Sequence, residues 1–158
     1  MNAGIYSKNM SRKIRITKLF SFEMAHALEN HDGMCQNIHG HSYKLRVTIL
    51  GEPATNGNSP KEGMLMDFSD LKDVVNKHII EKYDHALVLK STANSQVIEV
   101  LKKQYQKVEI TNYQPTSEQL LLQFVSILQK ILPPNVQLFS LRLSETETSY
   151  AEWYAEDK

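Results

Sequence analysis

The chain is poor in cysteine, in net charge and in long apolar runs, and each shortage excludes something. Cys35 is the sole cysteine, so no internal disulfide can form; this fits a reducing compartment such as the cytoplasm. Lysine plus arginine and aspartate plus glutamate number 18 each. No overall field therefore favours nucleic acid or an anionic membrane. No apolar run approaches the ~20 residues of a membrane span, and Met1–Lys13 lacks the apolar core of a signal peptide. Internal repeats and low-complexity tracts are missing too. The expected organisation is a flexible tail over residues 1–13 and one domain over 14–158, long enough to bury roughly two-thirds of its unfolded surface.

What is present centres on Cys35–His41, which reads Cys-Gln-Asn-Ile-His-Gly-His. In an extended backbone His39 and His41 point the same way, and two imidazoles on one face suit zinc, copper, nickel or iron. Two loop histidines at this spacing need hold nothing. Upstream, Phe20, Phe22, Met24 and His26 share one parity of a strand that begins near Ile14. Downstream, Tyr43, Leu45, Val47 and Ile49 alternate with Lys44, Arg46 and Thr48, a half-buried strand continuing the parity of His39 and His41. His26, His39 and His41 thus point toward one interior. Three histidines leave a four-coordinate metal one open position, the pattern of a catalytic site; a satisfied core histidine beside an incidental pair is the other reading.

The remaining elements follow in order. Gly51–Gly63 is turn-rich. Asp67 or Ser69 caps a helix whose buried stripe is Phe68, Leu71, Val74, Val75, His78 and Ile79. Between Ala93 and Tyr113 the pattern suggests a short helix around Val97–Leu101 and an extended piece at Val108–Ile110. Thr116 is the natural cap of a second long helix with Leu120, Leu121, Phe124, Val125, Leu128, Ile131 and Leu132 on its apolar face, stopped by Pro133-Pro134. Phe139, Leu141, Leu143 and Glu145 share one parity of a strand, paired in a hairpin with a last strand over Thr148–Tyr154. Strands at both ends with helices inserted predict an α+β domain, an antiparallel sheet covered on one face by helices.

Three further features carry possible chemistry. Cys35, in a loop between polar neighbours, is either inert packing or a reactive thiolate. Asp84-His85 could serve as its base, or the histidine could simply favour a helix C-terminus. Glu145 on an apolar face needs donors to accept; it suits the 2-amino-pyrimidinone edge of a pterin or guanine, unless it turns to water beside Glu147.

Taken together, Phe-Ser-Phe-Glu-Met-Ala-His at 20–26, Cys-Gln-Asn-Ile-His-Gly-His at 35–41, Gly-Met-Leu-Met-Asp-Phe-Ser-Asp-Leu-Lys at 63–72, Asp84-His85, Pro-Thr-Ser-Glu at 115–118 and Glu145-Thr146 resemble the 6-pyruvoyl-tetrahydropterin synthase family, which includes bacterial 6-carboxytetrahydropterin synthases. The resemblance implies that His26, His39 and His41 bind Zn2+. It implies that Cys35 abstracts a proton, with Asp84 and His85 as relay. It assigns the pterin ring to Glu145 and further substrate contacts to Thr116, Ser117 and Glu118. The implied fold is a four-stranded antiparallel sheet with two helices between strands two and three. The implied assembly is a homohexamer, a dimer of trimers whose subunit sheets close into a barrel, with active sites between subunits. The three-residue gap between Cys35 and His39, together with Asp67, resembles the bacterial carboxy-pterin enzymes.

The resemblance implies a zinc lyase acting on 7,8-dihydroneopterin triphosphate in queuosine synthesis. The alternatives are a 6-pyruvoyl-tetrahydropterin synthase, a non-catalytic pterin- or purine-binding module, and a zinc hydrolase. The insert between Leu89 and Pro115 is longer than in short bacterial members, and the segment after Thr146 also departs from the pattern.

Overall fold

The computed structural model describes residues 12–55 and 57–157. The expected tail therefore falls, apart from Arg12 and Lys13, outside the described residues. Strands β1 (Ile14–His26) and β2 (His39–Gly51) form a long antiparallel pair in unbroken register, from Ile14 opposite Gly51 to His26 opposite His39. Their shared inner face carries Phe20, Phe22, Met24, Tyr43, Leu45, Val47 and Ile49, all buried. Lys44, Arg46, Ser21 and Glu23 occupy the exposed outer face, as strict alternation requires.

Helix α1 (Phe68–Val75) is capped by Asp67, whose carboxylate accepts the Ser69 amide at 2.8 Å. It continues through a π-helical turn (Asn76–Ile80) into a last helical turn (Glu81–Tyr83). Its buried stripe is Leu71, Val75, Ile79 and Tyr83, whereas Phe68 and His78, expected in it, are exposed. Steps of four residues overshoot an α-helical turn by about 40° each. The wider π turn absorbs that drift and keeps Ile79 and Tyr83 on the core side.

Strand β3 (Ala86–Lys90) follows, then α2 (Ser95–Gln104), β4 (Val108–Thr111), α3 (Ser117–Ile131), β5 (Val136–Ser144) and β6 (Tyr150–Tyr154). Thr116 caps α3 by accepting the Gln119 amide, and Leu120, Leu121, Phe124, Val125 and Leu128 pack onto the sheet.

Among the described residues the sheet has six strands in the order β4-β3-β1-β2-β5-β6, which corrects the expected four. The antiparallel set β1, β2, β5 and β6 is the predicted one; β3 and β4 extend it in parallel along the free edge of β1. Ala86-Leu87-Val88-Leu89 is too short for its periodicity to be read, and β4 gains its place through the crossover helix α2 within the insert. Among the described residues the longer helices number three rather than two, α2 being the short helix expected around Val97–Leu101. Phe139 is also corrected. A bulge opposite Thr48/Ile49 leaves it out of register, so Val136 and Leu138 face the core instead. Phe139 meets Arg15, whose guanidinium carbon lies 3.9 Å from the ring centroid.

Candidate metal centre and active site

His26 ends β1, His39 begins β2 and the two are paired; His41 sits opposite Met24. One ligand atom from each histidine can be chosen so that all three lie within 4.8 Å of one another, a group able to hold a metal ion. Gly40 permits the close strand approach, since a Cβ there would stand 3.1 Å from the Met24 carbonyl oxygen.

The second ring nitrogens decide which atoms are free. His26 Nδ1 donates to the Pro115 carbonyl at 2.6 Å, and His39 Nδ1 donates to the Asn37 carbonyl at 2.8 Å. In neutral rings, those donors leave lone pairs on both Nε2 atoms, which face each other at 3.1 Å. Two lone pairs so placed repel unless a cation stands beside them, and a zinc-type ion with imidazole ligands meets that need. Burial holds His26 below the ordinary histidine pKa, helped by His39 and His41 and opposed by the Pro115 bond and by Glu145. The neutral, ligating form is thereby favoured.

Around this centre the chain gathers several of the expected residues. Tyr43, beneath His41, donates to Glu145 Oε1 at 3.5 Å, the outer limit for such a bond. Burial and that carboxylate push the Tyr43 hydroxyl far above its ordinary pKa, so it remains a donor. Thr116 is engaged as helix cap, Ser117 is buried directly after Pro115 and Thr116, and Glu118 is exposed.

Cys35 lies half-buried in a helical turn, Met34–Gln36, with its carbonyl accepting the Leu28 amide at 2.9 Å. Asp84 and His85 form their own pair, Oδ2 to Nδ1 at 3.0 Å, immediately before β3. The Glu23 amide donates to Asp84 Oδ1 at 2.9 Å. That bond, then His85 and Lys107, hold the Asp84 carboxyl below its usual range. Among the described residues no hydrogen bond or ion pair joins the Cys35 thiol to Asp84 or His85. A groove of about 980 Å³ nevertheless runs past both His41 and His85, with Glu23, Ser42, Tyr105 and Lys107 on its walls.

The model of one family, 6-pyruvoyl tetrahydropterin synthase, matches residues 15–156. The chain belongs to that family. Among its pterin-synthase relatives, the 6-carboxy-5,6,7,8-tetrahydropterin synthase of Haemophilus influenzae is 40% identical over 141 residues, covering 88% of this chain and 97% of that protein. The protein of the same name from Rickettsia conorii is 30% identical over 141 residues, covering 88% and 99%. Of solved structures, the 6-pyruvoyl tetrahydropterin synthase of Caenorhabditis elegans shares the fold at a TM-score of 0.64 and 22% identity, covering 93% of this chain and all of that one.

Sequence reasoning missed the auxiliary groups around the three histidines. Main-chain carbonyls of Pro115 and Asn37 carry no side-chain signature. Tyr43 was legible only as core, although its parity with His41 placed it beside the centre. Gln114 accepts the Glu29 amide at 3.3 Å and donates to the Glu29 carbonyl at 2.7 Å, fastening the loop after His26 to the segment before α3.

Proposed function

We propose that the protein is a zinc-dependent lyase that converts 7,8-dihydroneopterin triphosphate to 6-carboxy-5,6,7,8-tetrahydropterin, releasing acetaldehyde and triphosphate, in the queuosine pathway of the cytoplasm. The observation that carries the reading is the pair of opposed Nε2 atoms of His26 and His39, with His41 alongside. The relatives named 6-carboxy-5,6,7,8-tetrahydropterin synthase favour this branch over the 6-pyruvoyl product.

In this reading His26, His39 and His41 hold zinc. The ion supplies Lewis acidity toward the oxygens of the substrate side chain, making the neighbouring carbon-bound protons easier to remove. Cys35 accepts such a proton as general base, and Asp84 with His85 relays it. Glu145, oriented by Tyr43, accepts the parallel N–H donors of the pterin ring, which fixes the side chain relative to the thiolate. Thr116, Ser117 and Glu118 add polar contacts at the start of α3. Among the described residues no hydrogen bond or ion pair joins thiol and relay within one chain, and in this reading the relay reaches the thiol from a second copy. A homohexamer, a dimer of trimers with active sites between subunits, satisfies that requirement.

The deciding experiment incubates the zinc-loaded protein with dihydroneopterin triphosphate and determines product masses. A carboxy-pterin with acetaldehyde supports the proposal. A pyruvoyl-pterin moves the protein to the sister reaction, and an unconsumed substrate removes the catalytic reading.

A further inference from the structure

We infer that Lys107, from the insert between Leu89 and Pro115, is a positioning residue for the Asp84–His85 pair. The inference rests on the proposed relay role of that pair.

His85 has a φ of +59°, a left-handed backbone uncommon outside glycine, although histidine, like asparagine and aspartate, enters it more readily than most residues. The peptide unit joining Asp84 to His85 is held at both of its polar atoms. Its N–H donates to the Glu23 carbonyl at 2.6 Å, and its carbonyl oxygen accepts from Lys107 Nζ. Glu23 grips the pair a second time through its own amide on Asp84 Oδ1. Two of the three holds therefore come from the main chain of Glu23 in β1, one on the peptide and one on the Asp84 carboxylate. The third is a side chain.

Lys107 is itself fixed. Its carbonyl accepts the Leu87 amide at 3.0 Å, seating it beside β3 just before β4 begins. From there its stem runs along the groove that His85 also lines. No carboxylate forms an ion pair with Lys107 among the described residues; its ammonium serves a main-chain carbonyl instead. That geometry gives the lysine a task a surface charge does not have. It prevents the Asp84–His85 peptide from rotating, and so keeps the imidazole aimed into the groove and within 3.0 Å of the carboxylate that orients it. A part-buried carbonyl stripped of this donor would turn to find another, carrying His85 out of its left-handed setting.

The test compares the wild type with Lys107→Met, which keeps the stem, and Lys107→Arg, which keeps a cationic donor. Three quantities are read: turnover, thermal stability, and amide exchange in the peptide containing His85. The expected result for Lys107→Met is a fall in kcat of about tenfold or more with KM changed by less than about twofold. Its melting temperature and zinc content should match the wild type, with faster exchange at His85 and most of the kcat recovered in Lys107→Arg. Unchanged kcat in Lys107→Met, or equal losses in the two variants, overturns the inference. If the wild type itself fails to turn over, the lyase reading falls. The exchange comparison still decides the positioning role, since an unaltered His85 amide in Lys107→Met rejects it.

Discussion

His26 and His39 face each other across the last rung of the β1–β2 ladder, their Nε2 atoms 3.1 Å apart and their Nδ1 atoms bound to carbonyls. Removing the metal should leave two lone pairs opposed in a part-buried place. The chelated protein should accordingly melt at a lower temperature than the zinc form. His39→Ala should abolish stoichiometric zinc in elemental analysis while the fold persists in circular dichroism.

The pH dependence of the chelated protein follows from His26. Its folded pKa lies below the ordinary value of 6.5, so above that pH the neutral imidazole prevails in folded and unfolded chains alike. As pH falls through 6.5, the unfolded chain takes a proton that the folded chain resists, and stability declines. Melting temperatures of the metal-free protein should drop on acidification from pH 7 to 5. His26→Gln should flatten that drop.

Cys35→Ala should keep its zinc and lose about two to four orders of magnitude in turnover, the usual scale of a general base. His85→Ala should behave alike. Mixed oligomers assembled from the two inactive variants should regain activity, because some interfaces then pair an intact thiol with an intact relay. Failure of the mixture to recover would place both functions within one chain.

Glu145→Gln should weaken substrate capture, raising KM, and leave the metal content unchanged. Tyr43→Phe removes the hydroxyl that contacts this carboxylate and should reproduce a smaller part of the same defect. Steady-state kinetics with zinc analysis separates ring anchoring from metal loss.

Gln114→Ala deletes both hydrogen bonds to Glu29 and should cost about 1–2 kcal/mol in denaturant unfolding. Exchange of the Glu29 and Leu28 amides should quicken, since the loop carrying Cys35 is closed by the adjacent Leu28–Cys35 bond.

Much of this architecture was legible because parity and periodicity are strong where one face is wet. Tyr43 to Ile49 could be read residue by residue, and the same parity brought His26, His39 and His41 to one side. The cap at Thr116 and the stop at Pro133 framed α3. What escaped was information that lies outside any single element. The bulge at Phe139 is set by its partner Thr48, not by its neighbours in sequence. Ala86–Lys90 becomes a strand because β1 has a free edge to offer. His78 falls outside the core because a π turn, which no simple period encodes, intervenes. The carbonyls that select the tautomers of His26 and His39 are invisible in the sequence for a plainer reason, since every residue has one.

The in-register rung at His26 and His39 also separates two design variables. Both ligands belong to the ladder, so their spacing is set by strand pairing, while Cys35 hangs on the connection between them. In the proposed reading, lengthening or shortening that connection would shift Cys35 while strand pairing keeps His26 and His41 in place, with His39 still tied to the connection through the Asn37 carbonyl. The chain thus couples an anchor fixed by strand pairing to an adjustable arm, and new chemistry could be explored on this scaffold by editing the arm upstream of Asn37.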